Sequence, residues 1–151
     1  MSRKFLILIF GLSLLFLSCN RVATVYANGT VSLAGQTVQV EVAADESTRQ
    51  LGLGNRSALG LNQGMWFVFD RADNYNFWMK GMRFAIDIIW IDQGRVVDIA
   101  SNVQPRVSVK DKDLFIYVPK SPANRVLELT AGWAGQHGLK IGDSVEFTSA
   151  H

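Results

Sequence analysis

Residues 85–91 read AIDIIWI, within the longer stretch NFWMKGMRFAIDIIWID of residues 76–92. One carboxylate, Asp87, stands among six apolar residues. On a strand, successive side chains point to opposite faces. Asp87 then shares a face with Ala85, Ile89 and Ile91, while Ile86, Ile88 and Trp90 occupy the other. An isolated buried charge is costly, or shifts its pKa until it neutralises. The stretch therefore predicts a strand, and it predicts a partner for Asp87, expected to be a cation.

Outward from this strand the chain reads as further short strands. Val31 to Leu33 and Thr37 to Ala43 flank Gly35-Gln36, a hairpin signal. Met65 to Phe69 and Asn76 to Lys80 flank the polar segment Asp70-Arg71-Ala72-Asp73-Asn74. Ile86 to Ile91 and Arg95 to Ala100 flank Asp92-Gln93-Gly94, another tight turn. Leu114 to Val118, Val126 to Leu129 and Ser144 to Thr148 complete the set. Strands spaced in this way predict a compact, mainly β domain, an antiparallel sandwich or barrel-like fold. Two short helices interrupt it. Glu46 to Leu51 has Asp45 as N-cap and Gly52 as its stop. Ala131 to His137 is ended by Gly138. Both are too short to stand alone and must plug or cover the sheet.

The N-terminus predicts the compartment. Met1-Ser2-Arg3-Lys4 is a short basic segment, and Phe5 to Leu17 is apolar. A spanning helix needs ~20 residues, so this run fits a secretory signal. Leu15-Phe16-Leu17-Ser18-Cys19 is similar to a bacterial lipobox, although Leu17 stands where a small residue is commoner. Residues 1–18 are then a lipoprotein-type signal, with cleavage after Ala27 as the alternative. Residues 19–29 form a tether and residues 30–151 a single domain. The expected location is exported, periplasmic or at the cell envelope, with a lipid on Cys19 as the membrane anchor.

Of fifteen Lys and Arg, Arg3 and Lys4 leave with the signal, so thirteen remain against thirteen Asp and Glu. With no net charge, no basic run and no alternation of Arg with aromatics, nucleic acid is not an expected partner. Cys19 is the only cysteine. No internal disulfide can form, and the core alone must hold the fold in an oxidising compartment.

The inventory also narrows the chemistry. Of two histidines, His151 is terminal and His137 sits at a helix end, where it suits the helix carbonyls. No His/Cys cluster has metal-ligand spacing and no D-x-D-x-D-G loop occurs, so no metal and no cofactor is expected. A Cys–His or Ser–His–Asp system lacks a suitably placed histidine. No glycine-rich phosphate loop opens a helix. Trp66 and Trp133 are weak candidates for sugar stacking, and Phe67, Phe69, Ile86, Ile88 and Trp90 read as core.

One set of motifs carries a resemblance. Arg49-x-x-Gly52-Leu53-x-x-Arg56, Gly64-Met65-x-Phe67-x-Phe69 and Phe77-Trp78-Met79-Lys80 come first. Asp87-Ile88-Ile89-Trp90-Ile91-Asp92, Val126-Leu127-Glu128-Leu129-x-Ala131-Gly132 and Gly142-Asp143 follow. In this order the chain, from about Gln39 to Phe147, resembles the DUF192 family, a domain of unknown function. The resemblance implies a compact, mainly β domain, often exported in bacteria, and it implies no reaction. Gly54 stands where the family usually has a larger apolar residue, and Gly81-Met82 replaces a small polar pair. Both would reshape the rim of a pocket near Lys80.

The resemblance groups Arg49, Arg56, Trp78, Met79, Lys80 and Asp87 as candidate binding residues. Read as architecture, Asp87 and an Arg form a buried pair that pins the first helix to the sheet. Read as a site, Trp78 and Met79 form an apolar wall, the basic residues bind an anionic or polar group, and Asp87 orients them. The first functional expectation is a non-catalytic binding or accessory module at the envelope, with an unknown small molecule or an envelope protein as partner. The alternatives are a hydrolase using Asp87 as general acid or base, and a protein-interaction module without a small-molecule site.

Overall fold

The computed structural model describes residues 27–106 and 110–150. The expected signal segment, Cys19 and most of the expected tether lie outside the described residues. Nine strands and two short helices follow one another. They are β1 (Ala27–Leu33), β2 (Gln36–Ala43), α1 (Glu46–Leu51), β3 (Gln63–Asp73), β4 (Phe77–Trp78), β5 (Ile86–Asp92) and β6 (Arg95–Val103). Then come β7 (Ile116–Tyr117), β8 (Ala123–Thr130), α2 (Trp133–Gln136) and β9 (Val145–Ser149). The mainly β fold with two short helices agrees with the sequence reading. Strand β1 begins ahead of the expected domain start, because Ala27 and Asn28 already pair with Val42 and Glu41.

Seven strands form one sheet in the order β6-β5-β8-β3-β2-β1-β9, and β4 pairs with β7 in a separate ribbon. All pairs are antiparallel except β2 with β3. The parallel pair requires a crossover, and residues 44–62, with α1, provide it. The sheet rolls until its outer strands touch at one bridge, Arg95 to Ser144. It stops short of a closed barrel. Two turns set the hairpins. Ala34 and Gly35, with φ of 47° and 71°, join β1 to β2, and Gln93 and Gly94, with the same pair of values, join β5 to β6. Two consecutive left-handed residues match the twist of the flanking strands.

Each face of the sheet has its own core. The inner face buries Val31, Leu33, Val38, Val40, Trp66, Ile89, Ile91, Leu127 and Leu129, and Trp133, Ala134 and Leu139 plug it. The outer face buries Met65, Phe67, Ile86, Ile88, Trp90 and Val126 beneath Leu53, Phe77, Met79 and Met82. The alternation in AIDIIWI is therefore real: Ile89 and Ile91 point inward, and Ile86, Ile88 and Trp90 outward. Trp66 and Trp133 are each 4% exposed, so the sugar-stacking reading is corrected: both are core side chains. Trp66 stacks on Phe147, with ring centroids 5.6 Å apart.

Local chemistry fixes α1 where the sequence placed it. Asp45 accepts from Thr48 N at 2.9 Å, and the Thr48 side chain returns a contact to Asp45 N at 3.3 Å, a reciprocal cap. Gly52, at φ 50°, ends the helix. His137 Nδ1 lies 2.9 Å from Trp133 O, the helix-end contact anticipated for it.

Candidate functional site

Asp87 is fully buried, and its partners are not cations. Oδ1 accepts from Asn102 N at 2.7 Å and Gly132 N at 3.0 Å, and Oδ2 accepts from Ala134 N at 2.8 Å. This corrects the expectation of an Arg or Lys partner. The register explains the geometry. Ile86 pairs with Val103 and Ile88 with Ala100, so β6 carries a bulge opposite Asp87. Asn102, at φ 55°, lies within that bulge. Gly132, at φ 84°, turns the chain from β8 into α2. Asp87 thus ties together a bulge, a corner and a helix start. Three backbone N–H groups donate to the one carboxyl and leave neither oxygen without a partner. A general acid or base also needs access to a substrate, and Asp87 has none.

The residues grouped with Asp87 in the sequence divide between places. Asp87 pairs across with Leu129 on the inner face. Arg49, Trp78 and Lys80 lie over the outer face, where they line one cleft of about 460 Å³. Met79 is buried in the outer core and does not line the cleft. Arg56 makes a bidentate pair with Glu41, with Nη2 to Oε2 at 2.8 Å and Nη1 to Oε1 as the second contact. Gly54 and Met82, expected from the resemblance to reshape the rim of a pocket near Lys80, both line the cleft.

The crossover makes one wall of this cleft, and the segment after β3 makes the other. Arg49 is held by Ala44 O at 2.6 Å, Val68 O at 3.0 Å and Glu46 Oε2 at 3.3 Å, and its guanidinium lies 5.3 Å from the Phe69 ring centre. Phe69 stacks on Tyr75 at 3.6 Å, and Phe77 meets Phe67 edge-on at 5.0 Å. Trp78, on the β4–β7 ribbon, is 49% exposed. Lys80 pairs with Asp111 at 2.6 Å. Asn55 N donates to Gly81 O at 2.9 Å and joins the two walls.

The sequence reading missed Glu128, the most informative residue of the cleft. It lies on β8, opposite Met65 of β3 and Ile88 of β5, and so faces outward into the cleft lining. It is 5% exposed, and its Oε2 has no hydrogen-bond partner. Burial pushes its carboxyl up from the ordinary 4.5 to about 8, against a lowering by the nearby Arg56 guanidinium. At neutral pH it is a protonated acid. The signal was present in Val126-Leu127-Glu128-Leu129: the reasoning that singled out Asp87 applies equally to a carboxylate inside VLEL.

Among the described residues, no group of three His, Cys, Asp or Glu side chains could hold a metal ion. No described helix is long and apolar enough to cross a membrane.

A rolled, mainly β sheet with one aromatic cleft on its outer face defines the class of domain. The chain belongs to the DUF192 family, described as "Uncharacterized ACR", which it matches over residues 27–147. It is similar to a solved protein of Sinorhizobium meliloti 1021 described as a "putative transcription regulator". That likeness has 31% identity and a TM-score of 0.72, over 81% of this chain and 95% of that one. It is also similar to a solved protein of unknown function from Novosphingobium aromaticivorans DSM 12444. There the identity is 32% and the TM-score 0.69, over 79% of this chain and 83% of the other. No curated protein matches the chain.

Proposed function

We propose that the protein is a non-catalytic binding module of the cell envelope whose outer-face cleft receives a small molecule beside Trp78. One observation carries this reading: the buried Glu128 carboxyl lines the cleft with an unpaired oxygen. A buried polar group without a partner costs free energy that a fold does not retain without reason. A ligand that bonds to Glu128 supplies the missing partner. The rest of the lining suits such a ligand, with aromatic and apolar walls and a few polar groups. The lipobox-like Leu17-Ser18-Cys19 supports placement at the envelope, with the domain held near the membrane by a short tether.

The test is a ligand-observed NMR screen of a small-molecule library against the full chain, purified as its host processes it. Hits should weaken in both Trp78→Ala and Glu128→Gln. A screen without any hit sensitive to these two variants sinks the reading. Envelope placement is checked by metabolic labelling with a fatty acid, which should mark the parent and not Cys19→Ala.

The hydrolase reading, once detached from Asp87, has one observation in its favour. Glu128 is protonated near neutrality and lines a cleft, as a general acid must be. Release of product from any library hit would favour it over simple binding.

A further inference from the structure

The ion pairs around the cleft use every basic side chain of the lining and leave two of its carboxyls over. Each basic side chain of the lining already has an acidic partner. Arg49 pairs with Glu46 at 3.3 Å, Arg71 with Asp73 at 3.4 Å, and Lys80 with Asp111 at 2.6 Å. Behind the lining, Arg56 is paired with Glu41. Two carboxyls of the lining have no ion-pair partner among the described residues: Asp70 at the rim and Glu128 in the floor. Glu128, Met65 and Glu41 lie in one row across β8, β3 and β2, so two carboxyls share the single guanidinium of Arg56. While Glu128 keeps its proton, Arg56 and Glu41 balance; once Glu128 ionises, the group of three is one positive charge short.

The walls favour the same sign. Phe67, Phe69, Tyr75, Phe77 and Trp78 line the cleft. Aromatic faces carry partial negative charge and attract cations within about 6 Å. The fold already uses this contact, since the Arg49 guanidinium lies over Phe69 at 5.3 Å. Trp78, half-exposed, offers a further ring to an incoming group.

We infer that the cleft takes an organic amine, with its ammonium bonded to the Glu128 carboxylate and its apolar part against Trp78 and the aromatic wall. The inference rests on the binding reading above and adds the charge of the ligand to it. The ammonium donates to the unpaired oxygen of Glu128 and balances the charge that the carboxylate takes on. On binding, Glu128 passes from acid to carboxylate and releases its proton to solvent, so ligand and proton compete for one place.

The probes are phenethylamine, 2-phenylethanol and 3-phenylpropionate, of similar size and with positive, neutral and negative ends. Each is titrated into the full chain, purified as its host processes it, with tryptophan fluorescence and calorimetry as readouts. Phenethylamine should bind at least about tenfold more tightly than 2-phenylethanol, the gain given by one charge-assisted hydrogen bond to Glu128. Calorimetry in buffers of different ionisation heat should show a proton released with the amine and none with the alcohol. Glu128→Gln, the neutral isostere, should fold and should remove the difference between the two probes. Trp78→Ala should weaken both alike. Equal binding of amine and alcohol, unchanged by Glu128→Gln, overturns the inference and leaves the binding reading intact. Tighter binding of 3-phenylpropionate than of phenethylamine overturns the sign of charge. Binding of none of the three also overturns the inference, while the binding reading is decided by the library screen.

Discussion

Asp87 and Glu128 are buried carboxylates on neighbouring strands, one register step apart, since Asp87 pairs with Leu129 and Ile88 with Glu128. That step turns them to opposite faces of the sheet. On the inner face, Asp87 receives three backbone amides and holds a bulge and a corner in place. On the outer face, Glu128 leaves an oxygen unpaired beside a cleft. Burial alone therefore does not tell whether the fold itself completes a carboxyl group's hydrogen bonds. It does so for Asp87 and not for Glu128.

The comparison breaks first if Asp87 proves dispensable. Asp87→Asn replaces an oxygen that accepts from Ala134 N by a nitrogen that cannot, and it removes the charge that three amides face. Stability should fall by about 3–5 kcal/mol in chemical denaturation. An unchanged denaturation midpoint would remove Asp87 from the architecture.

Glu128 should behave in the opposite way. Its folded-state value, about 8, lies above the ordinary 4.5, so the folded protein keeps a proton that the unfolded chain loses. The stability tied to that proton is fully present below 4.5 and is lost as pH rises through about 8. The charged group acting on the carboxyl is Arg56 on the crossover, itself paired with Glu41 of β2, while Arg49, Asp70 and Lys80 line the same cleft. Between pH 5 and 9 the loss should approach about 3–5 kcal/mol. Glu128→Gln should flatten this slope and exceed the parent in stability at pH 9. A parent whose denaturation midpoint is level across that range would show that Glu128 ionises freely.

A smaller effect sharpens the link between the two carboxyls of the outer face. Arg56 lowers the Glu128 value. Arg56→Gln should therefore move the pH midpoint of that loss upward, while leaving Glu41 without its bidentate partner. NMR titration of the Glu128 side-chain carbon reads the shift directly. A midpoint that stays put would detach Arg56 from the cleft. Least affected should be Trp78→Ala. Trp78 is half-exposed on a two-residue strand, so the melting temperature should hardly change while ligand affinity drops.

Much of the scaffold was readable because its causes are local. The α1 boundaries follow from Asp45, Thr48 and Gly52, which act within one turn of chain. The alternation of AIDIIWI assigned five buried apolar side chains to the correct faces. The parallel pairing of β2 with β3 was not readable, since it depends on how a whole crossover packs. The partner of Asp87 was hidden for a different reason: backbone amides are present at every position and leave no mark in the sequence. Glu128 was within reach by the criterion applied to Asp87, and only its distance along the chain from Trp78 and Lys80 separated it from the expected group.

The parallel pair has one more consequence. Strands that run the same way cannot be joined by a tight turn, so the chain must travel back along the sheet before β3 begins. Residues 44–62 make that return, and in doing so they contribute α1, Leu53 and Gly54 to the cleft wall. Glu128, in contrast, belongs to the sheet itself. One half of the cleft lining is thus built by the sheet, and the other by a single connection. Substitutions in that connection can reshape the cleft without disturbing the strands beneath it.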